Sequence, residues 1–256
     1  MHPGPDPVDP EQTVQRVALL YAMEDEAMPL VQRLLLQEQP AIDPRLPKRH
    51  FAARVGGVTV DLLINGKDPR NGSDRIGTEA ATLAAYLAVR HFDPDLVVNA
   101  GTCGGFEARG SRVGDIYVAE GSILFHDRHI PIPEFALQAR GAWPTLRAPG
   151  IAQVLRAKRG VLSTGNSLTF TPQEAEFFET EGVVLKEMEA CAIAQVCGQL
   201  GVPFVAIKGV TDLVDHPEPV QEAFARNLRT VSALLAERVE TLVRWLGAHP
   251  RRLAEL

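Results

Sequence analysis

Apolar runs alternate with amphipathic segments along the chain, the pattern of a largely parallel sheet covered by helices. Val17–Ala22 (VALLYA) predicts a buried first strand, and Glu26–Leu36 a helix after it. Two runs, His50–Val55 and Val58–Ile64, flank Gly56-Gly57 and predict a hairpin. Thr78–His91, rich in Ala and Leu, reads as a helix, and Leu96–Ala100 (LVVNA) as a buried strand running into a Gly-rich turn. Ile116–Gly121 and Val161–Ser163 add strands. Thr171-Pro172-Gln173-Glu174 places an N-cap Thr, Pro at the first helical position and Glu at the third, which predicts a helix start. Met188–Leu200 follows as a helix and Phe204–Val210 as a strand. A last helix over Val220–Leu246 carries one apolar stripe: Phe224, Leu228, Val231, Leu235, Val239, Leu242 and Leu246. The predicted organisation is a single α/β domain over residues 14–247, with a mixed, largely parallel central sheet flanked by helices. Residues 1–13 (MHPGPDPVDPEQT) read as a disordered tail and 248–256 as a C-terminal tail.

A chain of 256 residues, 45% of them hydrophobic, suffices for one sizeable core. The formal net charge of -6 and the lack of a dense Lys/Arg run argue against a nucleic-acid partner. No stretch approaches the ~20 apolar residues that span a bilayer, and no signal peptide opens the chain, so a membrane is not expected. Cys103, Cys191 and Cys197 form no CxxC or Cys/His cluster. They read as reduced, buried thiols of a cytoplasmic protein, and no structural zinc site is supported.

Four segments carry candidate chemistry, each where a strand ends or a helix begins, the place where open α/β sheets bind ligands. Met23-Glu24-Asp25-Glu26 is either a solvated helix start, favourable to the dipole, or a source of one inward-facing base. Asn99–Phe106 (NAGTCGGF), with Thr102 and Gly104, is either a tight turn or a place where a ligand approaches free backbone N–H groups. Its spacing fits neither GxGxxG nor GxxxxGK[ST], so dinucleotide and nucleoside-triphosphate sites are not indicated. Lys186-Glu187-Met188-Glu189 opens an Ala-rich, nearly uncharged helix, where an acid is a capping charge or an acceptor for paired ribose hydroxyls. Lys208-Gly209-Val210-Thr211-Asp212 closes a strand, and its Asp is a turn cap or, if buried, an acid holding a proton near neutral pH.

Together these segments resemble the nucleoside phosphorylase and hydrolase family, and within it the 5'-methylthioadenosine/S-adenosylhomocysteine nucleosidases. The likeness spans about residues 15–247 and rests on AMEDEA, NAGTCGGF with VGDIYV following, EMEACAIAQVC and VPFVAIKGVTDLVD. FHDRHIPIP (Phe125–Pro133) and STGNSL (Ser163–Leu168) resemble the plant branch. The resemblance implies a nucleoside phosphorylase-like fold and hydrolysis of an N-glycosidic bond. It matches Glu26 to the base that activates water and Asp212 to the acid that protonates adenine N7. It matches Glu189 to the acceptor of ribose hydroxyls, Met188 to the side chain under the ribose, and Thr102 and Lys208 to groups beside the water. Leu168 and Thr169 match the base-reading segment, and Gly104 and Glu187 complete the implied substrate-binding set. Asn166 departs from the Asp of compared relatives. The implied reaction needs no metal or organic cofactor, and the implied assembly is a homodimer, for which Thr78–Val89 offers an apolar face. The stiff Ile130–Pro133 stretch is expected to favour a small methylthio group over the charged tail of S-adenosylhomocysteine.

Three competing readings stand beside this one. A phosphate-dependent purine nucleoside phosphorylase of the same fold would need cations for a dianion, which Lys67, Arg70 and Arg75 offer, but Glu26 would repel phosphate. A futalosine-type hydrolase would run the same reaction on another nucleoside. A non-catalytic nucleoside-binding protein would bind adenosine analogues without releasing the base.

Overall fold

The computed structural model describes residues 9–256. A strand forms at each predicted position, joined by further strands that the apolar runs did not mark. After β1 (Thr13–Val14) and β2 (Arg16–Tyr21) come helix α1 (Glu24–Leu34), β3 (Gln37–Gln39) and the hairpin β4 (Arg49–Val55) and β5 (Val58–Ile64). Helix α2 (Thr78–Phe92) leads to the long β6 (Leu96–Gly105), then β7 (Ile116–Ala119) and β8 (Ser122–Phe125). Short α3 (Ala136–Arg140), β9 (Trp143–Pro144) and α4 (Pro149–Leu155) precede β10 (Lys158–Thr164). The chain closes with α5 (Pro172–Glu181), β11 (Val183–Glu187), α6 (Ala190–Leu200), β12 (Phe204–Leu213), α7 (Val220–Ala248) and β13 (Arg251–Arg252).

The main sheet runs β3-β4-β5-β2-β6-β12-β7-β10-β8-β9, with β11 bridging β10 and β6. β2, β5, β6 and β12 are mutually parallel neighbours, while β7 and β11 join antiparallel, so the sheet is mixed and largely parallel as expected. The pairings β6-β12-β7-β10-β11-β6 close on themselves and curl this half of the sheet into a ring. One face buries Leu19, Leu62, Val98 and Ile207 against α1 and α7; the other buries Ala18, Leu20, Val97 and Ala206 against α2 and α6. At about 25 cal/mol per Å² of apolar area removed from water, this double-sided burial is the main stabilising contribution.

Several boundaries differ from the sequence reading. The Gly-rich Gly101–Gly105 is not a turn but the end of β6, because β12 and β11 both hydrogen-bond it. Met188 and Glu189 precede α6 rather than open it, since β11 continues to Glu187. The cysteines are buried as expected, Cys191 and Cys197 because α6 is covered on most sides. Of the N-terminal tail expected over 1–13, residues 1–8 lie outside the described residues. The C-terminal segment is docked, not a tail: Arg251 and Arg252 pair with Val14 and Thr13, and Leu253 and Leu256 are buried beside α4.

Candidate active site

The carboxyl ends of β2, β6, β11 and β12 converge on one cleft of 390 Å³. All four chemistry-bearing segments reach it: Glu26, Thr102, Gly104, Glu187, Met188, Glu189 and Asp212 line its wall, with Asn166 and Leu168 at its rim. A larger cleft of 760 Å³ lies at the opposite, amino end of β2 and contains none of these segments. Its Asp95 already accepts bonds from Gln12, Gln15 and Arg16, so the smaller cleft is the chemical one.

Glu26 sits in the first turn of α1, where the helix dipole favours an anion, yet it is only 3% exposed. Burial raises its pKa above the usual carboxylate range, and bonds from Thr102 and the charge of Lys208 pull it partly back. Its Oε2 also accepts from the Met23 backbone at 3.2 Å. A buried carboxylate so held, with a raised proton affinity, is suited to take a proton from water.

Asp212 owes its aim to a bulge. β12 runs in register with β6 as far as Val210 opposite Cys103; Thr211 is then the extra residue, and Asp212 falls opposite Gly104. A bulge bends the strand and re-aims the side chain that follows. The approach is close: a Cβ at position 104 would meet Asp212 Oδ2 at 2.8 Å and Val214 Cγ2 at 2.6 Å. Burial raises the Asp212 pKa, offset in part by the Thr211 hydroxyl at 2.8 Å from Oδ1 and by the Lys186 charge. Such a carboxyl group is suited to donate a proton.

Glu187 and Glu189 divide their work. Glu187 spends its oxygens internally: it pairs with Lys208 Nζ at 2.9 Å and accepts from the Glu189 and Ala190 backbones and the Thr164 hydroxyl. Burial alone would raise its pKa, but Lys208 and these donors overcome that and hold it ionised. Among the described residues one bond reaches the Glu189 carboxylate, from the Gly77 backbone to Oε1 at 2.8 Å, and Oε2 accepts none. Burial and the neighbouring Glu187 charge push its pKa up to about 7.

Two expected residues stand elsewhere. Lys208 does not line the cleft; it is 1% exposed and locked to Glu187, so it reaches Glu26 only through its field. Thr169 is exposed and off the cleft wall, while Leu168 is on it. Ile130 and Pro131 line a separate cleft beside Phe125 and Arg128, so within one chain that loop does not border the site. Sequence reasoning gave Phe224 to the apolar stripe of the last helix, but it faces the cleft with Ile76 and Val214. No local pattern distinguishes it from its neighbours. Lys186, whose Nζ donates to the Ser167 and Leu168 carbonyls, was also missed; a lone basic residue at the end of an apolar strand was its signal. Among the described residues no three His, Cys, Asp or Glu side chains gather as metal ligands.

The phosphorylase superfamily model matches residues 16–244. A 5'-methylthioadenosine/S-adenosylhomocysteine nucleosidase of Arabidopsis thaliana is 36% identical over 241 residues, covering 93% of this chain and 94% of that protein. A 5'-methylthioadenosine nucleosidase of the same plant is 36% identical over 247 residues, covering 95% and 91%. A solved structure of Arabidopsis thaliana 5'-methylthioadenosine nucleosidase in apo form superposes with a TM-score of 0.92 at 34% identity, covering 96% of this chain and 100% of that one.

Proposed function

The chain belongs to the phosphorylase superfamily, among its 5'-methylthioadenosine/S-adenosylhomocysteine nucleosidases, and from that premise we propose how its cleft hydrolyses the N-glycosidic bond of 5'-methylthioadenosine to adenine and methylthioribose. The observation that carries the reading is the buried Glu26 carboxylate, bonded to Thr102, where a nucleophile must enter.

The bond joins C1' of the ribosyl group to N9 of adenine, and its transition state carries positive charge on the sugar. Asp212 protonates N7 of the departing base, and its raised pKa supports that role. Glu26 takes a proton from water on the opposite face of the ring. One acid and one base on opposite faces is the inverting arrangement, and each proton transfer contributes ~10²–10⁴-fold. Glu189 accepts the ribose hydroxyls through its unengaged oxygen, and Met188 packs beneath the sugar. Leu168 covers the base, held by Lys186. Glu187 and Lys208 form the neutral pair that orients Glu189 through its backbone. The acids Glu26 and Glu189 place negative charge around the developing cation.

Phosphate is disfavoured as nucleophile by Glu26, and two of the three candidate cations are paired with carboxylates. Lys67 pairs with Asp74 at 3.3 Å and Glu24 at 3.6 Å, and Arg70 with Asp68 at 2.6 Å. The apolar Ile76, Val214 and Phe224 suit a methylthio group, so methylthioadenosine is the preferred substrate over S-adenosylhomocysteine. The enzyme works as a homodimer, supported by the exposed Leu83 and Tyr86 of α2 and by Ile132, Phe135 and Leu137. A reducing compartment, the cytoplasm, suits its three unpaired thiols. The test is adenine release from methylthioadenosine in phosphate-free buffer. Free methylthioribose supports the reading; strict dependence on phosphate with a sugar 1-phosphate product overturns it.

A further inference from the structure

Helix α2 has no side-chain cap of its own; its N-cap position is Gly77. The first backbone N–H groups of a helix need partners, and here two cleft residues from different segments supply them. Gly77 N donates to Glu189 Oε1 at 2.8 Å, and Thr78 N donates to Asn166 Oδ1 at 2.9 Å. The Asn166 amide is used on both sides. Its Nδ2 donates to Thr78 Oγ1 at 2.9 Å and to Asp127 Oδ2 at 3.3 Å, while its backbone N donates to the same Asp127 oxygen at 2.7 Å. The backbone at Gly77, with φ 90°, lets Asn166 come this near: a Cβ there would meet Oδ1 at 2.8 Å.

We propose that Asp127 and Asn166 form a positioning latch: they hold the Gly165–Leu168 stretch, which carries Leu168 of the base-reading segment, and, through the N-terminus of α2, tie it to Glu189. Asp127 does not line the cleft, so it acts through Asn166. A shift of the base segment uncovers Thr78 N and moves the adjoining Gly77 peptide, the one that orients Glu189. The grip on the base and the grip on the ribose therefore move together. In this chain the Asn166 amide accepts from Thr78 N, shares either direction of a bond with Thr78 Oγ1, and donates to Asp127. A carboxylate there can still accept from Thr78 N and Thr78 Oγ1, but it loses the donor to Asp127 and sets two like charges against each other. The inference rests on the proposed nucleosidase reading for the identity of the segment.

The experiment compares the parent, Asn166→Asp, and the exchange Asp127→Asn/Asn166→Asp, measuring KM and kcat for methylthioadenosine and, separately, the Kd for adenine by calorimetry. Thermal unfolding confirms that each is folded. In the exchange a carboxylate at 166 still accepts from Thr78 N, and an amide at 127 both accepts from the 166 backbone and donates to that carboxylate. Asn166→Asp should raise KM and the adenine Kd about tenfold, the equivalent of one charge-assisted hydrogen bond, with kcat changed less. The exchange should recover most of that loss. Parent-like adenine binding in Asn166→Asp, or an exchange no better than the single variant, overturns the latch. A parent that binds adenine without cleaving substrate overturns the nucleosidase reading alone, and the adenine Kd still decides the latch. A parent that binds no adenine overturns both.

Discussion

Glu26 Oε1 accepts two hydrogen bonds from a single residue: Thr102 N and Thr102 Oγ1 both lie 2.7 Å away. The pair fixes the carboxylate and opposes the burial that would otherwise protonate it. The strand at the end of β6, set by its pairing with β12 and β11, is what presents the N–H and the hydroxyl of Thr102 together.

Thr102→Val keeps the branched shape and the backbone bond but removes the hydroxyl. The Glu26 pKa should then rise. A base must be ionised to act, so the acidic limb of the kcat/KM profile should move to higher pH. An unmoved limb would show that Glu26 is not the group titrating there.

Gly104→Ala should displace the acid without changing its chemistry. The added methyl meets Asp212 Oδ2 and Val214 Cγ2 inside 3 Å, and neither can withdraw freely from a packed wall. We expect kcat to fall by ~10²-fold, since small displacements of a reacting group are that costly, and stability to fall by about 1–3 kcal/mol. Parent-like kcat would mean that Asp212 tolerates the displacement and is not held to a reacting geometry.

Asp212→Asn preserves the shape and the Thr211 contact while removing the proton. Turnover should fall by ~10²-fold or more with adenine affinity little changed. Near-normal turnover in a steady-state assay would make Asp212 a structural cap of the bulge.

Much of this was legible in the sequence because the site is built at strand ends, and buried parallel strands announce themselves as apolar runs. Asp212 closes a predicted strand and Glu26 and Glu189 stand at predicted helix starts; those places made them candidates, and the resemblance gave them their roles. What was not legible depends on contacts between distant segments. The bulge at Thr211 is defined only by the partner strand, so nothing local marks it. The resemblance matched Lys208 to a group beside the water, but its ammonium is buried against Glu187, a partner from another segment. The capping of α2 by Asn166 and Glu189 joins residues 88 and 112 positions apart, beyond any pattern of spacing. The docked C-terminus escaped because Leu253 and Leu256 are too few to form a periodic signal.

Glu189→Gln should separate stability from function. In the folded chain burial and the Glu187 charge push the Glu189 pKa up to about 7 from 4.5. The folded state thus holds this proton more tightly than the unfolded state. The stability this confers is present at low pH and is lost as pH rises from the unfolded value through about 7. Gln carries no such proton, and its amide oxygen still accepts from Gly77 N. The melting temperature of the variant, relative to the parent, should therefore improve between pH 5 and pH 8. Substrate binding should show the opposite preference. The ionised carboxylate accepts ribose hydroxyls most strongly, so the KM of the parent should fall as pH rises through about 7, whereas the variant should have a higher KM with no such dependence. Parallel KM profiles would remove Glu189 from the sugar grip. A variant that loses stability relative to the parent at pH 8 would show that the carboxylate is held for the fold and not against it.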